Sequence, residues 1–183
     1  MSALSRIVAE EFCGLCDWAY QVWRNHRALF DDNPRAAELQ ASRGARALKR
    51  LNTISHEYSL LQIAKLHDRA VTSGKLTLGI DYVVTYGGWS EPLLTKLITL
   101  ASQLNKFEQG LHGARNRALS HNDLAAILSG KILGAFEKDE DIKYFDTLQE
   151  FVNLVHDEVI GGPRPFNAYA TNDVAALMAM VKP

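Results

Sequence analysis

The chain has 183 residues, of which 47% are hydrophobic and 22% are charged, and its 20 basic residues nearly balance 21 acidic ones. This length and mixture exclude a disordered, collagen-like or coiled-coil protein and predict one globular domain, with or without an added arm. No apolar run is long enough to cross a bilayer, and the N-terminal segment lacks the apolar centre of a signal peptide. We therefore expect a cytoplasmic protein without membrane contact.

A long amphipathic helix is predicted at the N-terminus. Apolar residues recur there at spacings of three and four, which indicates a helix from about Ser2 to Phe30. We expect one apolar stripe of this helix to face the core: Leu4, Ile7, Val8, Leu15, Trp18, Ala19 and Val22.

Cys13 and Cys16 form a CxxC pair within this helix. The spacing also occurs in redox pairs and in half of a zinc site, but a redox pair needs a preceding strand and a zinc site needs two more ligands at metal spacing. The sequence offers neither. We expect two buried helix thiols, no metal and no other cofactor.

A second helix is predicted to begin at Asn33 and Pro34, which suit a cap and a first turn, and to end near Asp68 with an interruption near Gly44. Its expected apolar stripe is Leu48, Leu51, Ile54, Tyr58 and Leu61. From residue 33 to residue 53, five basic residues stand against one acidic residue. On a helix Arg43, Arg46 and Arg50 share one face, which is either an ordinary solvated surface or a patch that guides a phosphate backbone.

Residues 71–88 are the least helical part of the sequence. Glycines punctuate them and β-branched residues favour extended structure, which predicts a long loop, with room for a short strand, between the second and third helices.

The third helix has the strongest pattern in the chain. Ser90 and Pro92 suit its cap and first turn, and apolar residues alternate steps of four and three from Leu93 to Ala118, which predicts about 28 residues. A fourth helix is predicted at Ile142–Val159, and a short last helix at Val174–Val181. The sequence therefore predicts an all-α fold with a domain at 1–160 and a C-terminal arm at 161–183.

One segment concentrates residues that can do chemistry. Residues 113–123, GARNRALSHND, place cations, amides and one imidazole at the end of the third helix. Arg115 and His121 are six residues apart, about 120° around an ideal helix. They meet one reagent only if the helix ends or bends between them, or if a second chain completes the site. The ordinary alternative is a surface arginine near a helix C-terminus followed by a C-cap.

At this segment the chain resembles HEPN domains, in particular the AbiU-type branch of bacterial abortive-infection systems. The resemblance rests on Arg115-Asn116 followed by His121-Asn122-Asp123 at the end of a long helix. A second match is the segment Ala64–Asp68, which ends the preceding helix. Together with the order of the four helices, the resemblance covers about residues 5–160.

The resemblance implies an up-and-down helix bundle. Together with the elements predicted above, the expected fold is an up-and-down four-helix bundle with an extra C-terminal helix and a long loop between helices 2 and 3. HEPN domains dimerise and bring two R-x4–6-H motifs into one cleft. Many are metal-independent endoribonucleases that act as toxins or antiviral effectors, and others only bind RNA, nucleotides or proteins. Expected partners are RNA, a second copy of the chain and an antitoxin protein.

The residue types fit metal-independent RNA cleavage on chemical grounds as well. His121 can transfer protons near neutral pH, and Arg115 matches a phosphate and remains charged. Asn116 would orient the imidazole or the phosphate. Because two protons must move and one chain supplies one motif histidine, a two-fold dimer is a sensible arrangement. The expected products carry a 2′,3′-cyclic phosphate and a 5′-hydroxyl.

Arg117 lies four residues before His121 and is assigned, with Arg43, Arg46 and Arg50, to RNA binding. Four other histidines are expected at the surface or as satisfied core residues: His26, His56, His67 and His156. The leading hypothesis is a dimeric HEPN ribonuclease. Its alternatives are a non-catalytic HEPN module that binds RNA, nucleotide or protein, and a helical scaffold without a nucleic-acid role.

Overall fold

The computed structural model describes residues 4–114, 139–167 and 169–180. Within these residues there are seven α-helices, one π-helical turn at Arg27–Asp31 and one two-stranded hairpin. The helices are α1 (Arg6–His26), α2 (Ala36–Ala41), α3 (Ala45–Leu66), α4 (Ile80–Tyr86), α5 (Glu91–Ala114), α6 (Glu140–Val159) and α7 (Tyr169–Met180). The described part of the chain is mostly helical, which agrees with the all-α prediction.

The chain divides into two compact units. Unit 1 comprises Met1–Cys16 and Ile63–Pro165, and unit 2 comprises Asp17–Gln62 and Phe166–Pro183. Helices α1 and α3 each contribute residues to both units.

Unit 1 has a well-packed core built largely by α5 and α6. The apolar faces of these two helices pack together. Phe12 of α1 packs edge-to-face against Phe151 of α6, with 5.8 Å between the ring centroids. The largest fully buried side chains of the described residues all belong to unit 1: Phe12, Phe145, Phe151, Ile63, Ile80, Leu97, Leu104, Leu148, Val83, Val152 and Val155.

Helices α5 and α6 begin close to the residues that the sequence indicates. Helix α5 starts at Glu91, where the Ser90 carbonyl accepts a hydrogen bond from the Leu94 amide at 2.8 Å. The predicted stripe is buried at Leu97, Leu100 and Leu104. Helix α6 ends at Val159, before two glycines with positive φ angles (106° at residue 161 and 74° at residue 162), as the Gly-Gly-Pro signal predicts.

The predicted loop between the second and third helices is partly structured. Strands β1 (Val71–Thr72) and β2 (Lys75–Leu76) pair antiparallel, and Ser73 and Gly74 have the positive φ angles of a tight two-residue turn. Residues 80–86 form α4, so the loop prediction is wrong there. Two residues of α4, Ile80 and Val83, are buried in unit 1, and this burial outweighs the extended preference of β-branched residues.

Helices α1 and α3 expose part of the stripes that were expected to be buried. On α1, Trp18 is 48% exposed and Leu15 is 42% exposed, whereas Phe12, Cys13 and Cys16 are buried. On α3, the stripe of Leu51, Ile54 and Tyr58 is exposed, and the off-stripe residues Leu60, Ile63 and Leu66 are buried instead. Both helices are apolar on more than one side, so spacing alone does not identify the buried side.

Unit 2 is held together partly by polar contacts to the chain terminus. Arg35 Nη1 donates a hydrogen bond to the Met178 carbonyl at 2.8 Å, and Asn33 Nδ2 donates to Met178 Sδ at 3.4 Å. Tyr20 stacks on Phe166 with 4.9 Å between ring centroids. Helix α7 thereby lies against the π-helical turn, and it begins at Tyr169, five residues before the predicted start.

Candidate functional site

The R-x5-H segment follows α5 directly in the sequence. Helix α5 ends at Ala114, and Arg115 is the next residue. The motif residues Arg115, Asn116, Arg117 and His121 lie outside the described residues. Their assigned roles therefore stay predictions, and the described surroundings of α5 are the structural context that is available for them.

His67 lies at the end of α3 and connects α3 to α5 and α6 within unit 1. Its Nδ1 is 2.9 Å from Asn105 Oδ1 on α5, and its Nε2 is 2.9 Å from the Tyr144 hydroxyl on α6. Tyr144 is buried, and its ring stacks on Phe107 with 4.6 Å between centroids. Burial, with the nearby Cys16 and Glu108, raises the pKa of Tyr144 well above its ordinary value, so the hydroxyl keeps its proton.

For the neutral form of the His67 imidazole, these contacts fix the hydrogen-bond directions. An amide oxygen cannot donate, so Nδ1–H of His67 must donate to Asn105 Oδ1. Nε2 is then an acceptor, and the Tyr144 hydroxyl donates to it. The series of hydrogen bonds from Tyr144 through His67 to Asn105 thus orients the Asn105 amide. The Asn105 Nδ2 group donates no hydrogen bond to a described residue.

A cleft of about 530 Å³ opens beside this chain of hydrogen bonds, over α4 and α5 of unit 1. His67 and Asn105 stand at its polar side with Lys106, and Ile98 belongs to its apolar side. The volume falls within the range of about 300–1,000 Å³ that is common for small-ligand sites. We call this feature the α4–α5 cleft.

Three of the four arginines that were assigned to RNA binding, Arg43, Arg46 and Arg50, are exposed in unit 2. Arg46 and Arg50 lie one turn apart on α3, whereas Arg43 lies in the turn before the helix. The three guanidinium groups form no ion pair with a described residue. Nearby, Arg46 and Lys49 line a groove of about 520 Å³ with Leu29, Phe30, Leu39 and Leu48 among its apolar residues. This groove therefore combines unneutralised positive charge with apolar surface.

A second pair of histidines lies in unit 2. His26 is buried, its ring centroid is 5.3 Å from that of His56, and its Nε2 is 3.6 Å from Asp31 Oδ2. Its Nδ1 has no hydrogen-bond partner among the described residues. Burial lowers the pKa of His26, an effect that Asp31 opposes and that His56 and Arg27 reinforce. His26 is therefore a core residue with an unfilled hydrogen-bond capacity, not the satisfied one that was expected.

Cys13 and Cys16 are buried thiols that form no disulfide with a described residue, and their burial agrees with the prediction. Desolvation raises the pKa of the Cys13 thiol to about 11, which keeps it protonated and unreactive at neutral pH. Among residues 4–114, 139–167 and 169–180, no group of three His, Cys, Asp or Glu side chains is arranged to hold a metal ion. Nor does any helix in that part of the chain combine the length and apolar character needed to span a membrane.

Sequence reasoning did not identify the His67 network. It placed His67 at a helix end, which is correct, but gave no role to Asn105 or Tyr144, which are 38 and 77 residues away along the chain. The only sequence signal was the position of His67 in the Ala64–Asp68 segment, one of the two segments that resemble HEPN domains.

The comparisons with known proteins agree with that resemblance. The HEPN family model AbiU2 matches residues 1–180, nearly the whole chain. Searches of the curated proteins and of the solved structures each found no match. Because a single family model spans both units and the segment that carries Arg115 and His121, the chain belongs to the AbiU2 family of HEPN domains.

Proposed function

We propose that this chain is a metal-independent endoribonuclease of the HEPN type that acts in abortive infection. The observation that carries the proposal is membership of the AbiU2 family together with Arg115-Asn116 and His121 directly after α5. The substrate is RNA, whose 2′-hydroxyl serves as the internal nucleophile. The proposal places the reaction at the end of α5.

The proposed scaffold is an up-and-down bundle of the four longest helices. These are α1, α3, α5 and α6, with 21, 22, 24 and 20 residues. Similar lengths suit a bundle, and the packing of α5 on α6 supplies one of its helix pairs. Helix α7 is the additional C-terminal helix of this arrangement.

Each motif residue has a distinct proposed task. His121 takes the proton from the 2′-hydroxyl or gives one to the departing 5′-oxygen, because imidazole exchanges protons near neutral pH. Arg115 binds the phosphate through two parallel N–H bonds and stabilises the charge that develops on it. Asn116 orients the phosphate or the imidazole. The products are a 2′,3′-cyclic phosphate and a 5′-hydroxyl.

We place the complete site in a homodimer. Two proton transfers are needed, and the motif supplies one histidine per chain, so a two-fold pair brings two copies of His121 to one phosphate. Arg117 of the motif and the exposed Arg43, Arg46 and Arg50 bind the RNA backbone further away. A toxic ribonuclease also requires control, for which an antitoxin protein is the proposed partner.

The test is cleavage of RNA by the purified full-length protein in excess EDTA. The wild type is expected to cut, and His121→Ala and Arg115→Ala are expected to lose at least about 100-fold in rate, the usual contribution of a general acid–base group. The matched control is Arg6→Ala, because Arg6 is an exposed arginine whose partner is Glu10 one turn away. Its rate should equal that of the wild type.

The outcomes separate the hypotheses. Equal cutting by the wild type and His121→Ala would contradict the assignment of His121. Binding of RNA without cutting, in the presence or absence of divalent ions, would contradict the ribonuclease and favour the non-catalytic HEPN module.

A further inference from the structure

The α4–α5 cleft contains an exposed lysine. Lys106 lies on α5 and forms no ion pair with a described residue. Asp81 also lines the cleft and keeps its negative charge, but its oxygens accept hydrogen bonds from the Ala70 amide at 2.8 Å and the Thr85 hydroxyl at 3.4 Å instead of pairing with Lys106. The ammonium group of Lys106 is therefore available to an anionic group of a ligand.

Polar side chains beside Lys106 are available to a ligand. Asn105 is held by His67 through its oxygen, so its Nδ2 can donate two hydrogen bonds into the cleft. Ser102 and Gln109, one turn away on either side, also line the cleft and form no hydrogen bond through their side chains with described residues. These groups can recognise the hydroxyl, carbonyl and amine groups of a sugar or a base.

The cleft also has an apolar part. Ile80, Val84 and Ile98 line it, and Ile98 remains 50% exposed although it is a large hydrophobic side chain. A planar ring placed against Ile98 would remove this apolar surface from water. An isolated phosphate would leave it exposed.

Among RNA-derived ligands, a nucleotide unit combines these three properties: an anionic phosphate, hydrogen-bonding groups and a flat apolar face. We infer that the α4–α5 cleft is a binding site for one nucleotide of single-stranded RNA, with the phosphate at Lys106, polar groups at Asn105 and the base against Ile98. This inference rests on the proposed function for its choice of RNA.

The position of the cleft on α5 suits a strand that also reaches the motif. Lys106 and Ala114 are eight residues apart on one helix, about 12 Å along its axis. The cleft therefore lies on the helix that directly precedes the motif in the sequence. The cleft then holds a nucleotide that flanks the scissile phosphate and contributes to substrate affinity, while Arg115 and His121 act on the bond.

The direct test uses methyl NMR of the full-length protein with labelled isoleucines, titrated with adenosine 5′-monophosphate. The His121→Ala variant is used as well, because it allows the same titration with an intact RNA hexamer. The Ile98 methyl signal is expected to shift with both ligands. The Ile54 methyl signal should not shift, because Ile54 lies on α3 outside the cleft. Ile54 is a suitable control since its side chain is exposed to a similar extent, 60%.

Matched lysine variants test the role of charge. Lys106→Ala should weaken nucleotide binding about tenfold, the loss of one charge-assisted hydrogen bond to phosphate. Lys96→Ala, which removes an exposed lysine of the same helix outside the cleft, should bind as the wild type does. In RNA cleavage, Lys106→Ala should raise KM and leave kcat unchanged, because the cleft contributes binding and no proton transfer.

Several results would overturn the inference: no shift at Ile98, equal affinities of Lys106→Ala and Lys96→Ala, or inorganic phosphate binding as tightly as the nucleotide. These readouts are independent of cleavage. Nucleotide binding without RNA cleavage would contradict the proposed ribonuclease alone, whereas cleavage with no nucleotide in the cleft would contradict this inference alone.

Discussion

The two units of the molecule differ in how completely they bury their largest apolar side chains. In unit 1, large residues such as Phe12, Leu148 and Phe151 are fully buried, although Ile98 is 50% exposed. In unit 2, Leu60 is buried, but Leu51 and Ile54 are 54% and 60% exposed on α3, a helix whose arginines form no ion pair with a described residue. Burial supplies most of the driving force for folding, so unit 1 is the part whose own packing secures its structure.

Two histidines, one in each unit, also differ in their hydrogen bonds. His67 in unit 1 uses both ring nitrogens, one toward Asn105 and one toward Tyr144. His26 in unit 2 is buried next to a π-helical turn, and its Nδ1 has no hydrogen-bond partner among the described residues. Both residues lie at the C-terminal end of a long helix, so position along the helix does not explain the difference. Within the described part of the chain, tertiary packing supplies partners to both ring nitrogens of His67 but not to Nδ1 of His26.

The largest expected difference is between two leucines of the two units. Leu148→Ala should lower the free energy of unfolding by about 2–5 kcal/mol, because the residue is fully buried between packed helices. Leu51→Ala should change it by less than about 0.5 kcal/mol, because its side chain is largely in water. Urea unfolding followed by circular dichroism measures both. A loss at Leu51 as large as that at Leu148 would mean that the α3 face is covered in solution.

A smaller effect is expected from the pH dependence of His26. Because burial lowers its pKa below the ordinary value near 6.5, the unfolded chain binds this proton more readily than the folded chain. The stabilising contribution is complete above about pH 6.5 and is lost as the pH falls toward the folded pKa. Urea unfolding between about pH 8 and pH 5 should show a steeper loss for the wild type than for His26→Gln. Parallel profiles would contradict this description of the His26 environment.

The smallest effect on folding is expected at the arginines of unit 2. Arg46→Ala and Arg50→Ala should leave the free energy of unfolding within about 0.5 kcal/mol of the wild-type value, because both side chains are exposed. We expect these two substitutions to weaken RNA binding instead. Each substitution is expected to reduce the slope of log affinity against log salt by about 0.7, the value for one phosphate contact on a single strand.

Arg6→Ala is the control for this comparison, since Arg6 is an exposed arginine of α1 in unit 1. Identical slopes for all three variants and the wild type would remove Arg46 and Arg50 from the RNA-binding surface.

The sequence predicts the helices best where one apolar stripe faces one partner. Helix α5 satisfies this condition, and its buried residues Leu97, Leu100 and Leu104 are those that the pattern indicates. Helix α3 does not satisfy it, because α3 is apolar on several sides. The elements that pack against α3 determine which side is buried, and the spacing of apolar residues does not identify those elements. Helix α4 was missed for a related reason: burial of Ile80 and Val83 overrides local preferences.

The candidate site is predictable only in part. Arg115, Asn116 and His121 are close together in the sequence, so a local motif is enough to propose them. The α4–α5 cleft is built from side chains on separate elements, such as His67 and Asn105. Nothing in the local sequence around Asn105 indicates that α3 will end beside it, so the structure was needed to find the cleft.

The most direct test of the central claim compares two RNA oligonucleotides in EDTA. Both contain a mapped cleavage site, and one carries a single 2′-deoxyribose at the nucleotide that precedes the scissile phosphate. We predict that the wild type cuts only the all-ribose strand, that the products end in a 2′,3′-cyclic phosphate and a 5′-hydroxyl, and that His121→Ala cuts neither strand. Equal cutting of both strands, or cutting by His121→Ala at the wild-type rate, would contradict the account.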